Sequence, residues 1–162
     1  MKREDRNFAE RAIKKLLIGS QLDGFQFGIG PGIVRVCFSH YSEQDPDQLW
    51  LNIEVRKIAI IASDEQLTTI SKETLEELDD EESFQLLLRN RREKVKDIWL
   101  GEDSPHLYIS LESGKVLYVN GHDENYECWQ VGDNHGYGGD GDWLIVAVPG
   151  NEIAIWSPEE FK

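Results

Sequence analysis

The reading of the fold turns on Glu112 to Trp156, ESGKVLYVNGHDENYECWQVGDNHGYGGDGDWLIVAVPGNEIAIW. Val116–Val119, Tyr126–Val131, Trp143–Val148 and Ile153–Trp156 are short runs rich in β-branched and aromatic residues, separated by turn-forming residues, and they predict four strands. Glu112-Ser113-Gly114-Lys115 predicts a tight turn after a preceding strand over Leu107–Leu111, and Pro149-Gly150-Asn151-Glu152 a second turn. Consecutive strands joined by such short turns are antiparallel neighbours. Trp143–Val148 is continuously apolar, so it is expected to be covered on both faces. Trp129, Trp143, Trp156 and Cys128 are expected in the core.

Upstream of this stretch the pattern alternates between helix and strand. Phe8, Ala9, Ala12, Ile13, Leu16 and Leu17 recur at helical spacing and predict an amphipathic helix ending near Gly19, with Arg6, Arg11, Lys14 and Lys15 on a solvated face. Leu22–Gly28 and Ile33–Phe38 flank Gly30-Pro31-Gly32 and predict a hairpin; GIGPG lacks the Lys-Ser/Thr of a phosphate loop. Leu49, Leu51, Ile53 and Val55 alternate with Trp50, Asn52, Glu54 and Arg56, the pattern of a half-buried strand. The apolar phase flips at Arg56-Lys57 and continues in Ile58, Ile60 and Ala62, which predicts a break. Ser63–Gln66 reads as a capping box before a helical pattern through Leu78, and a second helix is expected over Glu82–Lys96, acidic at its start and basic at its end. Ile98–Leu100 predicts a further strand.

No linker, repeat or low-complexity segment divides the 162 residues. The expectation is one α+β domain over residues 1–162: an antiparallel multi-stranded sheet of about seven to nine strands, with an N-terminal helix and a central helical insertion on its faces. The N-terminal residues are charged and lack an apolar signal core, and no window approaches a membrane span, so the chain is expected to be cytoplasmic. Cys37 and Cys128 have no CxxC spacing and read as buried thiols rather than ligands or a disulfide.

The net charge of −14 is unevenly spread. Of 17 basic residues, 11 lie in 1–18 and 89–96, whereas 97–162 carries 13 acidic residues against Lys115 and Lys162. Such a field repels phosphate backbones and attracts cationic partners, which argues against direct nucleic-acid binding.

Three constellations in the opening stretch invite chemistry. His122, Asp123, Glu124, Glu127 and Cys128 suggest a metal, but alternate strand residues point to opposite faces and no zinc spacing is matched. The run Gly138–Asp142 resembles part of a calcium nonapeptide in a single copy, without the acidic residue expected at Trp143. Cys128 with His122 or His135 sketches a nucleophile and base, yet Asp123, Glu124 and Glu127 would raise the thiol pKa. No metal, cofactor or catalytic group is therefore assigned. The alternative is a small hydrolase or metal-dependent enzyme using His122, Glu127, Cys128 and His135. A different use of the same region is an acidic lip for a basic protein, formed by Asp123, Glu124, Asp133, His135, Tyr137, Asp140 and Asp142, whose carboxylates accept bidentate hydrogen bonds from arginine. A binding or scaffolding module with some other partner is the third possibility.

In HLYISLESGKVLYVNG, the YECWQV segment and the closing DWLIVAVPGNEIAIW, the chain resembles the small acidic α+β immunity proteins that bacteria encode beside polymorphic or contact-dependent inhibition toxins. The resemblance runs over roughly Trp50 to Trp156. It implies a non-catalytic cytoplasmic protein that binds a cognate toxin domain, often a basic nuclease, and occludes its active site. No residue-level binding motif carries over.

Overall fold

The computed structural model describes residues 1–28, 32–41, 46–54, 57–61, 79–133 and 141–161. Among them the chain runs α1 (Arg3–Leu17), β1 (Gln21–Phe27), β2 (Ile33–Ser39), β3 (Gln48–Glu54), β4 (Ile58–Ile61), α2 (Asp80–Arg89), β5 (Val95–Leu100), β6 (Leu107–Leu111), β7 (Val116–Val119), β8 (Trp129–Asp133), β9 (Leu144–Val148), β10 (Glu152–Trp156) and a final 3-10 turn, Glu159–Phe161. This is an α+β domain with every strand pair antiparallel.

The strands form two sheets where one was expected. The larger has the order β1-β2-β3-β8-β9-β10 and the smaller β4-β7-β6-β5. The phase flip read at Arg56-Lys57 falls between β3 in the first and β4 in the second, so the chain changes sheet where its apolar face reverses. The chain returns to the larger sheet between β7 and β8, and a bridge between Gln21, at the start of β1, and Lys94, just ahead of β5, also links the two sheets. One hydrophobic cluster joins both sheets, with Val36, Leu51, Val131 and Ile145 from the larger and Ile98, Ile109 and Leu117 from the smaller.

Helix α1 buries the expected stripe, Ala9, Ala12, Ile13, Leu16 and Leu17, and lies against β5 and β10. Its polar side is only partly solvated. The Arg6 guanidinium donates to Leu100 O at 2.7 Å and Gly101 O at 3.0 Å, Glu10 accepts from Leu100 N at 3.1 Å, and Lys14 pairs with Asp97 at 3.2 Å. These side chains fasten the helix to β5, using carbonyls and an amide at a strand end that need partners.

Helix α2 is shorter than expected, and Val95-Lys96 belong to β5. Val95 is buried, and its N–H and C=O bond with Ser20 O and Gly19 N at 2.9 Å, a ladder partner that the helical pattern could not anticipate. The helix starts with a capping box of Asp79 and Glu82. The box read at Ser63–Gln66 and the helical pattern to Leu78 lie outside the described residues, as do Arg56 and Gly30-Pro31 of the hairpin turn.

Strand β3 is buried on both faces, including Trp50 and Asn52. It sits inside the larger sheet, where the Trp50 indole N–H donates to Asp133 O at 2.7 Å and Arg35 donates to the Asn52 side chain at 3.2 Å. Conversely, Trp156 is 57% exposed on β10, which among the described residues is an edge strand of the larger sheet. Trp129, Trp143 and Cys128 are in the core as expected.

Candidate functional site

Between β7 and β8 the chain does not continue as strand. Tyr126 and Glu127, expected in β8, belong to a loop over 120–128 that hydrogen bonds brace from within and from two neighbouring segments. Asp123 Oδ1 accepts the backbone N–H groups of Asn125 at 2.9 Å and Tyr126 at 3.0 Å, an Asx-type turn that competes with extended pairing. Asp123 Oδ2 is 2.9 Å from Lys57 Nζ, just ahead of β4. Asp123 O accepts from Gly150 N at 3.0 Å, and His122 Nδ1 is 2.6 Å from the Asn151 side-chain oxygen, which tie the loop to the β9–β10 turn. Asn120 N donates to Lys57 O, and Cys128 N to Ala147 O.

Gly121 lets the loop leave the sheet. A Cβ there would meet Pro105 O at 2.0 Å, and its N–H donates to the buried His106 Nδ1 at 3.0 Å. Asp123 responds to this setting. The amides of Asn125 and Tyr126 and the Lys57 ammonium hold its carboxyl down to about 2. Of the exposed side chains of the braced loop, Tyr126 and Glu124 stand far out into water, each 74% exposed.

The residues considered for catalysis have separate partners. Cys128 is 2% exposed, with Lys57 Nζ 3.6 Å from its sulfur. Burial pushes its thiol up, the Lys57 ammonium only partly opposing. His122 is engaged by Asn151 and lies 3.7 Å from Glu124, while Glu127 accepts from the Gln130 side chain at 2.6 Å. His135 lies outside the described residues. Among the described residues no group of three or more His, Cys, Asp or Glu is placed to hold a metal ion, and both cysteines are free thiols.

The expected acidic lip divides. Glu124 and Asp142 are exposed, and Asp123 is half-buried in its turn. Asp133, expected at the surface, is buried. Its carboxylate accepts from Asp142 N at 3.3 Å and Trp143 N at 3.1 Å, so it clamps the entry to β9. His135, Tyr137 and Asp140 lie outside the described residues. One residue of the loop and one of its partners are not found by the sequence reading. The apolar pattern from Tyr126 predicts a strand although Asp123-x-Asn125-Tyr126 carries an Asx-turn signal, and Lys57 is too distant in sequence to be paired with Asp123 by inspection.

No protein-family model, curated protein or solved structure matches the chain. No described helix is long and apolar enough to cross a membrane.

Proposed function

We propose that this protein is a non-catalytic immunity protein that binds a cognate toxin domain, basic in character and of nuclease type, and occludes its active site, acting in the cytoplasm of the cell that makes both. The observation that carries the reading is the braced loop 120–128, which presents Glu124 and Tyr126 to solvent from a backbone that needs little further ordering. Ordering a loop on binding costs free energy, and a backbone already held in place avoids the backbone part of that cost. Tyrosine offers a large contact area with few rotatable bonds, and carboxylates grip arginine by two hydrogen bonds. The net charge of −14 supports the same reading, because a nuclease cleft is basic and an acidic inhibitor gains association rate and imitates a polyanion.

The test is co-purification with the product of the adjacent upstream gene at low ionic strength. A complex that weakens as salt rises supports the proposal, as does loss of the toxin's activity on mixing. Failure to form any complex at low salt overturns it.

A further inference from the structure

Lys57 and Cys128 form a contact that the proposed function does not use. Their Nζ–Sγ separation is 3.6 Å, and Lys57 is held in place by Asp123 at 2.9 Å. Both side chains are shielded, with Lys57 15% exposed and Cys128 2%. Yet Cys128 also lines an open cleft of about 170 Å³ with Asn52, Glu54, Glu127 and Gln130, large enough for a molecule the size of water or peroxide. Cys128 thus borders an open cleft and has an amine 3.6 Å from its sulfur.

We infer that Lys57 and Cys128 are a redox-sensitive pair that a peroxide converts to a covalent sulfur–nitrogen cross-link. In the first step the Cys128 sulfur takes one oxygen from the peroxide, giving a sulfenic acid and releasing water; the sulfur is oxidised and the peroxide reduced. In the second, the Lys57 ammonium gives a proton to solvent, its amine lone pair attacks the sulfenic sulfur, the S–O bond breaks and a second water leaves with the remaining protons. The product, Cys128–S–NH–Lys57, has lost two hydrogens relative to the reduced protein. The reaction needs no other thiol, because the capturing group is already in contact, and a thiol reductant reverses it by attack on sulfur.

The cross-link replaces the ammonium by an uncharged nitrogen drawn toward sulfur. Asp123 then loses its cationic partner, and the brace on loop 120–128 weakens. The cross-link stands on the geometry alone; an effect on toxin binding would rest on the reading of that loop given above.

The experiment treats the whole protein with hydrogen peroxide over a series of pH values rising from about 8 to about 10.5, because Lys57 and Cys128 are both held above their ordinary ranges and their reactive forms grow with pH, and follows it by intact mass and by peptide mapping without reduction. A Cys37→Ser background removes an intramolecular disulfide, which has the same mass change. Expected are the loss of two hydrogens, a linked pair of peptides containing Lys57 and Cys128, reversal by dithiothreitol, and faster amide exchange at Asn125 and Tyr126 in the oxidised form. Lys57→Gln in the same background removes the linked peptides and diverts Cys128 to sulfinic acid. Oxygen addition at Cys128 without linkage in the Lys57 protein, or a Cys128 that does not react at all, overturns the inference.

Discussion

Lys57 Nζ and Asp123 Oδ2 meet at 2.9 Å although 66 residues separate them in the chain. The pair joins the segment that opens the smaller sheet to the loop that leads back into the larger one. Burial works against the Lys57 charge, yet its hydrogen bond to Asp123 and the neighbouring Cys128 carry its pKa above the usual lysine range.

Asp123→Asn keeps the size of the side chain and removes its charge. The folded carboxyl sits at about 2 against an ordinary value of 3.8. The carboxylate therefore contributes stability that is complete above the ordinary value and is lost as pH falls toward about 2. The variant is expected to melt at a lower temperature at neutral pH. Its difference from the parent should close as pH falls from 3.8 toward about 2. Thermal melts across that range check this, and a gap independent of pH would contradict it.

Gly132→Ala tests the packing of the larger sheet. An added Cβ would lie 2.5 Å from Trp50 Cζ2 and 2.8 Å from Trp143 O, and backbone cannot yield as a flexible side chain can. Overpacking of this kind costs about 1–3 kcal/mol. Urea unfolding should show that loss, and displacement of Trp50 from its bond to Asp133 O should change the tryptophan fluorescence of the folded protein.

Asp79→Ala removes half of the capping box at α2, where Asp79 accepts from Glu82 N at 2.8 Å and Glu82 accepts from Asp79 N at 3.1 Å. The expected loss is about 1 kcal/mol by chemical denaturation, with Asp79→Ser retaining most of the stability. Equal losses in both variants would show that the cap is not the cause.

Glu124→Lys and Tyr126→Ala probe the recognition loop in the complex. Both positions are exposed, so each variant should unfold within about 0.5 kcal/mol of the parent. With the toxin partner, charge reversal at Glu124 should weaken affinity about ten-fold, mainly through slower association and with reduced salt dependence, while Tyr126→Ala should speed dissociation. Surface plasmon resonance at two salt concentrations separates the two effects; unchanged rates for both variants would remove the loop from the interface.

Features set by neighbours in the chain were legible from the start. The stripe from Ala9 to Leu17 requires only helical periodicity and one apolar side to cover, and the hairpin pairing of β1 with β2 requires only two strand-like runs and a turn between them. Even the phase flip at Arg56-Lys57 was visible, although its meaning was not, because a bend within one sheet and a crossing to another leave the same alternation. Strand edges were harder. Trp156 and Trp143 look alike as apolar residues in apolar runs, but among the described residues β10 is at the edge of its sheet, whereas Trp143 lies beneath the turn Glu159–Phe161, its ring 4.7 Å from that of Phe161.

The sequence by itself determined the α+β class, the antiparallel order of local pairs, the face of α1 that is buried and the acidic character of the later half. Each follows from short-range periodicity, turn chemistry or simple charge. Only the tertiary structure decided that the strands of the described residues divide between two sheets, that Val95 leaves the helix for β5, and that Asp133 clamps the backbone from inside. It alone brought Lys57 against both Asp123 and Cys128. Those outcomes depend on which distant backbone groups and charges meet once the core closes, and residues 66 and 71 positions apart carry no local pattern that specifies their contact.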